Sequence, residues 1–187
     1  LENPDGDEIN ARIYSNTVAK YWCDGFLELD EMISDESNTI KAFKAIEETL
    51  NRNIRNDAPQ DYTIIRNSVI LYFKNNTHID YNNMMNEIIG RYQPCDLTQD
   101  KLTSLKEKLS LLPEKRNFDH QFNSVPNIIN AKIKKVYKVN EGIELKLTDA
   151  IDNLNQTISA HQEPDGTRYL KIITNNEETY NSFKDNN

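Results

Sequence analysis

The sequence predicts an α+β fold: an N-terminal helical bundle, then a small antiparallel β-sheet of about four strands and a short C-terminal helix. Three observations predict it. Up to about residue 112, apolar residues recur every three or four positions; after Pro126 they alternate instead. Two turn sequences, Asn140-Glu141-Gly142 and Glu163-Pro164-Asp165-Gly166, then sit between strand-like runs. The helical region is expected over residues 1–115, with a sheet subdomain over 116–187 packed on it.

Taken in order, Tyr14, Val18, Tyr21, Trp22, Leu29 and Ile33 form a first helical stripe, and 34–38 reads as a break. Ile40, Phe43, Ile46, Leu50 and Ile54 form the second stripe. Asp57 ahead of Pro59 reads as the start of a third helix, with Tyr62, Ile65, Val69, Tyr72 and Phe73 on one side and Asn75-Asn76 as its end. Asp80 is placed to cap a short helix burying Tyr81, Met84, Met85 and Ile88. Asp96 with Gln99 has the spacing of a capping box, and Leu102, Leu105, Leu109 and Leu112 follow until Pro113. Residues 114–126 read as a loop. Strands at 129–139 and 143–148 then form one hairpin, "ISAHQ" and "TRYLKIIT" a second, and Glu177 to Phe183 a closing helix.

Composition narrows the function. The 187 residues open with Leu1, and the chain is read as a piece of a longer protein. No apolar run approaches the ~18–20 residues of a membrane span, so no membrane partner is expected. Cys23 and Cys95 are far apart and read as free, partly buried thiols of a reducing cytoplasm. His78, His120 and His161 are scattered away from the cysteines, so neither a metal nor another cofactor is predicted. Five glycines build no phosphate loop, and no nucleophile motif appears. Asp30-Glu31 and Glu47-Glu48 are neighbours that diverge on a helix and read as solvated faces. The chain is therefore read as non-enzymatic.

Net charge is −8, but residues 1–50 hold 12 acids against 4 bases, so the remainder is nearly neutral. Within that remainder, "NIINAKIKKVYKV" concentrates Lys132, Lys134, Lys135 and Lys138 in one strand, and Lys146 faces outward on the next. In an extended strand Lys132, Lys134 and Lys138 share a face, with Ile129, Ile133, Tyr137 and Val139 on the other. That face reads as a nucleic-acid groove, as a partner surface, or as the wet side of a sheet whose lysines guard it against aggregation. These five lysines are the candidate nucleic-acid-binding residues. A winged-helix reading also exists, with Lys101, Lys106, Lys108, Lys115 and Arg116 on or beside the third of three helices. The Gly90–Leu97 gap is long for such a motif.

The stretch "FDHQF…IINAKIKKVYKV", followed by "IELKL", the acidic "DG" turn, "RYLKI" and a last helix, resembles the C-terminal half of bacterial nucleoid-associated proteins of the 37-kDa class. "YSNTVAKYWCDGFLELDEM" resembles the helix those proteins place after their N-terminal half. The resemblance implies a cytoplasmic, nucleoid-located protein that meets DNA directly or through other nucleoid proteins. It transfers no functional residues. The acidic balance departs from what DNA coating calls for, and leaves open that this half serves protein interaction or homo-oligomer assembly.

Overall fold

The structure, a computed structural model, describes residues 33–129 and 134–184. The stripe expected from Tyr14 onward lies outside the described residues, except for Ile33. The described chain mixes helices with antiparallel strands, as the α+β reading requires.

Helix α1 spans Asp35–Asn53. The Ser34 hydroxyl caps it, accepting from the Ser37 N–H at 3.2 Å, and Asp35 and Glu36 occupy the first turn, where the positive helix end favours carboxylates. The expected break at 34–38 is thus a helix start. Phe43, Ile46, Leu50 and Ile54 are buried, while Ile40 is exposed. Helix α2, Pro59–Asn75, starts on a proline, whose missing N–H would find no helical partner there anyway. Its cap position is Ala58 rather than Asp57; the Asp57 carboxylate pairs instead with Lys101 at 3.0 Å.

Strand β1, His78–Asp80, runs straight into helix α3, Tyr81–Met85, which continues as a π-helical turn over Asn86–Gly90. Asp80 caps α3 as expected, accepting from the Asn83 N–H at 2.9 Å. Helix α4 spans Gln99–Ser110, and its cap is Thr98. The expected Asp96–Gln99 box is displaced because the Asp96 N–H is already bound to the Asp61 carboxylate, at 2.8 Å. Leu102, Leu105, Leu109 and Leu112 are buried. Pro113 does not stop the helical path: it lies in the first turn of helix α5, Leu112–Arg116. Strand β2, Gln121–Asn123, pairs antiparallel with β1 and sets Phe122 opposite Ile79. This ribbon lies partly inside the stretch read as a loop; three residues are too few for alternation to register.

The core lies among α1, α2, α4 and the β1–β2 ribbon. Phe43 meets Phe73 edge-on at 5.9 Å, Phe73 meets Phe122 at 6.3 Å, and Tyr81 meets Phe118 at 5.2 Å. The Tyr81 hydroxyl donates to the Leu109 carbonyl at 2.8 Å, which satisfies it within the core. One carboxylate sets the loop before α4. Asp61, fully buried in the first turn of α2, accepts from the Tyr92 hydroxyl (2.6 Å) and from the N–H groups of Cys95, Asp96 and Leu97 (2.7, 2.8 and 2.9 Å). Burial pushes its pKa up, but those four donors outweigh it and hold the carboxyl below its ordinary value.

Strand β3 covers Lys135–Asn140 and β4 covers Ile143–Leu147. Gly142, at φ 75°, supplies the left-handed turn between them. The first strand starts later than expected: Ile129 is buried behind a 3-10 turn at Pro126–Ile128. After helix α6, Leu154–Thr157, strands β5 (Ile158–Gln162) and β6 (Arg168–Ile172) form a second hairpin, and helix α7 spans Glu177–Ser182. The four strands expected in one sheet form two separate two-stranded hairpins. The linking segment is anchored to α2, because the Asn67 side chain exchanges two hydrogen bonds with the Ile151 backbone (2.7 and 2.9 Å) and Leu154 is buried.

Replacing Asp61 with Ala leaves the partly buried Tyr92 hydroxyl and three N–H groups, that of Leu97 buried, without their acceptor, and should cost about 2–3 kcal/mol in urea unfolding at pH 7. The depressed carboxyl contributes stability that is present above pH 3.8 and lost as pH falls through its lower folded value. Asp61→Asn should remove that part of the acid limb in a pH series of unfolding midpoints.

Candidate nucleic-acid interface

Strand alternation distributes the lysines. On β3–β4, Val136 stands opposite Lys146, Lys138 opposite Glu144, Tyr137 opposite Leu145, and Lys135 opposite Leu147. Lys134, Val136, Lys138, Glu144 and Lys146 are exposed, whereas Lys135, Tyr137, Leu145 and Leu147 are half-buried towards α2. The outer face of the hairpin therefore presents Lys138 and Lys146, with Glu144 directly across from Lys138, and the exposed Lys134 immediately precedes β3. Lys134 and Lys138 lie roughly 13 Å apart along an extended strand, enough to meet separate phosphates. Among the described residues, none of these three lysines makes an ion pair. Lys132 lies outside the described residues.

Lys135 does not join them. It points to the inner face, its Nζ 4.1 Å from the centre of the Tyr62 ring and 5.5 Å from that of Tyr137. Burial, followed by the nearby charges of Arg66 and Arg55, lowers its pKa from 10.5 to about 8, against a smaller opposing pull from Glu47. Odd-numbered parity with Tyr137 was the sequence signal for this inward position. Val139, expected on the apolar side, is exposed instead, because the register shifts between Lys138 and Asn140.

Four of the five bases on and beside α4, all but Lys115, are engaged elsewhere. Lys101 pairs with Asp57, Lys106 donates to the Gly90 carbonyl at 3.0 Å, Lys108 donates to Asn53 at 2.7 Å, and Arg116 pairs with Glu48 at 2.8 Å. Side chains committed to α1 and its neighbours leave that helix a poor groove reader, which counts against the winged-helix arrangement. Cys95, expected to be partly buried, is exposed, and Cys23 lies outside the described residues. Among the described residues, no three His, Cys, Asp or Glu side chains gather closely enough to hold a metal ion, and no helix is long and apolar enough to cross a membrane.

Beyond this core the second hairpin and α7 are exposed along their whole length from Ala160 to Lys184. By register, Ile158, Ala160, Leu170 and Ile172 share one face of that hairpin; Ser159, His161, Tyr169 and Lys171 share the other, with His161 stacked on Tyr169 at 5.3 Å. Arg168 and Lys171 fall on opposite faces, so they do not extend a common basic strip. Ile173, Tyr180 and Phe183 are 59%, 54% and 83% exposed. No family model matches the chain, and no curated protein or solved structure shows a significant similarity to it.

With its folded pKa near 8 and its unfolded one at 10.5, Lys135 makes the unfolded chain hold more protons between those values. Its contribution to native stability should therefore rise with pH from 8 upward. Unfolding midpoints measured between pH 8 and about 9.5, below the range where tyrosines ionise, should show that rise, and Lys135→Met should flatten it.

Proposed function

We propose that this chain is a DNA-associated, non-enzymatic binding protein of the bacterial nucleoid-associated type, in which the outer face of the β3–β4 hairpin lies against the phosphate backbone. The observation that carries this reading is the exposure of Lys138 and Lys146 on one pleated face and of Lys134 just ahead of it, without a carboxylate pairing any of them among the described residues. Lys132, two positions before Lys134, extends the same alternation in sequence. The sequence resemblance to the nucleoid proteins points the same way. Binding of this kind is electrostatic and indifferent to base sequence, and the net charge of −8 confines it to a local contact.

A second reading rests on a different observation. A two-stranded hairpin with no sheet neighbour is marginal in water, yet β5–β6 and α7 display Leu170, Ile172, Ile173, Tyr180 and Phe183 to solvent. Such an arm suits a protein-interaction or oligomerisation role, with DNA reached through the partner.

Two measurements separate the readings. Changing Lys134, Lys138 and Lys146 together to Glu should abolish retention on double-stranded DNA at low salt while the helical circular dichroism persists. In the parent protein the slope of log affinity against log salt should be about −3, from roughly 0.9 per phosphate contact. Equal retention by the triple variant removes the DNA reading. For the second, sedimentation across a concentration series should show association that Leu170→Asp with Ile172→Asp eliminates; a monomer throughout removes self-assembly.

A further inference from the structure

We propose that the cleft between β3 and α2 is an oxyanion site, anchored by the Lys135 ammonium and suited to a phosphate group. The site lies on the opposite face of the hairpin from Lys134, Lys138 and Lys146, so it does not rest on the reading of that outer face. The cleft is open to solvent, about 300 Å³ including its mouth, and is lined by Thr63, Arg66, Asn67, Lys135, Tyr137 and Asp149 among others. Only a small part of it is enclosed, so a phosphate would seat at the mouth with an oxygen towards Lys135.

The charges around Lys135 do not balance. Among the described residues, Lys135, Arg66, Arg55 and Lys74 provide four positive groups and Glu47 and Asp149 two negative ones, a local net of +2. Both carboxylates are committed: Glu47 meets Arg66 at 2.7 Å, and Asp149 meets Lys74, accepting at 2.6 Å through Oδ1. Lys135 is half-buried, yet among the described residues it has no hydrogen-bond acceptor and no ion pair, only the faces of Tyr62 and Tyr137. A partly desolvated ammonium ordinarily finds an acceptor. Here two guanidinium groups add to its cost. An oxyanion supplies what is missing: acceptor lone pairs for the three ammonium hydrogens, and negative charge for the surplus. A phosphate, carrying between one and two negative charges near neutral pH, matches the surplus of two better than a single carboxylate does.

Free phosphate and a phosphate of a nucleic-acid backbone offer the same chemistry. The test follows the ¹³C resonances of isotopically methylated lysines on the full chain, with the Lys135 signal assigned by its loss in Lys135→Met. Inorganic phosphate is titrated against sodium chloride at matched ionic strength, and a short duplex oligonucleotide is titrated separately. Phosphate should move the Lys135 signal saturably where chloride does not. It should also raise that signal's pH midpoint by about one unit for each tenfold preference for the charged amine. Lys135→Arg should retain phosphate binding in calorimetry, and Lys135→Met should lose it. A response to both titrants supports the site and makes backbone phosphate an accessible source; a response to inorganic phosphate alone supports it with free phosphate as the ligand. A Lys135 signal that responds to phosphate no more than to chloride overturns the proposal, whether or not the outer lysines bind DNA.

Discussion

The buried Asp61 carboxylate is the constraint on which the order of the helical part depends. It sits in the first turn of α2 and gathers the Tyr92 hydroxyl and three successive backbone N–H groups, from Cys95 to Leu97. A fully buried carboxylate is tolerable only when its lone pairs are filled, and four donors fill them. In return it converts a glycine- and proline-flanked loop into a fixed approach to α4. Once α4 is placed, Leu102, Leu105 and Leu109 enter the core, and Tyr81 finds the Leu109 carbonyl. The fixed loop also places Lys101 and Lys108, which close onto Asp57 and Asn53.

Helix α2 also receives the first hairpin. Asn67 grips Ile151, Lys74 pairs with Asp149, and the inner face of β3–β4 lies over Tyr62. This docking gives the hairpin two chemically different sides. Its outer side carries exposed lysines and the exposed apolar Val136. Its inner side holds one lysine between aromatic rings, in the field of two arginines. The same strand thus presents two kinds of positive charge: one exposed and suited to weak, salt-sensitive contact, the other partly desolvated and without an ion pair among the described residues.

Much of this was legible in the sequence, element by element. The stripes of α1, α2 and α4, the Asp80 cap and the two hairpin turns follow from spacing and turn chemistry alone. The misjudged features share a cause. Asp57 and Asp96 have the sequence context of helix starts, yet a distant lysine claims the first side chain and the Asp61 carboxylate claims the backbone of the second. The β1–β2 ribbon joins residues more than forty positions apart through strands of three residues each. The two hairpins failed to merge because the segment between them is tied down on α2.

The sequence by itself determined which residues share a face: an amphipathic period places apolar side chains together, and strand parity separates Lys134 and Lys138 from Lys135. It did so because those relations are set by backbone geometry within a few residues. Only the tertiary structure decided what each face meets. That Asp61 serves as an acceptor for residues 31 to 36 positions away, that Lys106 and Lys108 of α4 are occupied, and that Lys135 rests on Tyr62 all depend on side chains brought together by chain folding. Such encounters leave no periodic trace in the chain, because their partners are chosen by three-dimensional packing rather than by spacing along the sequence.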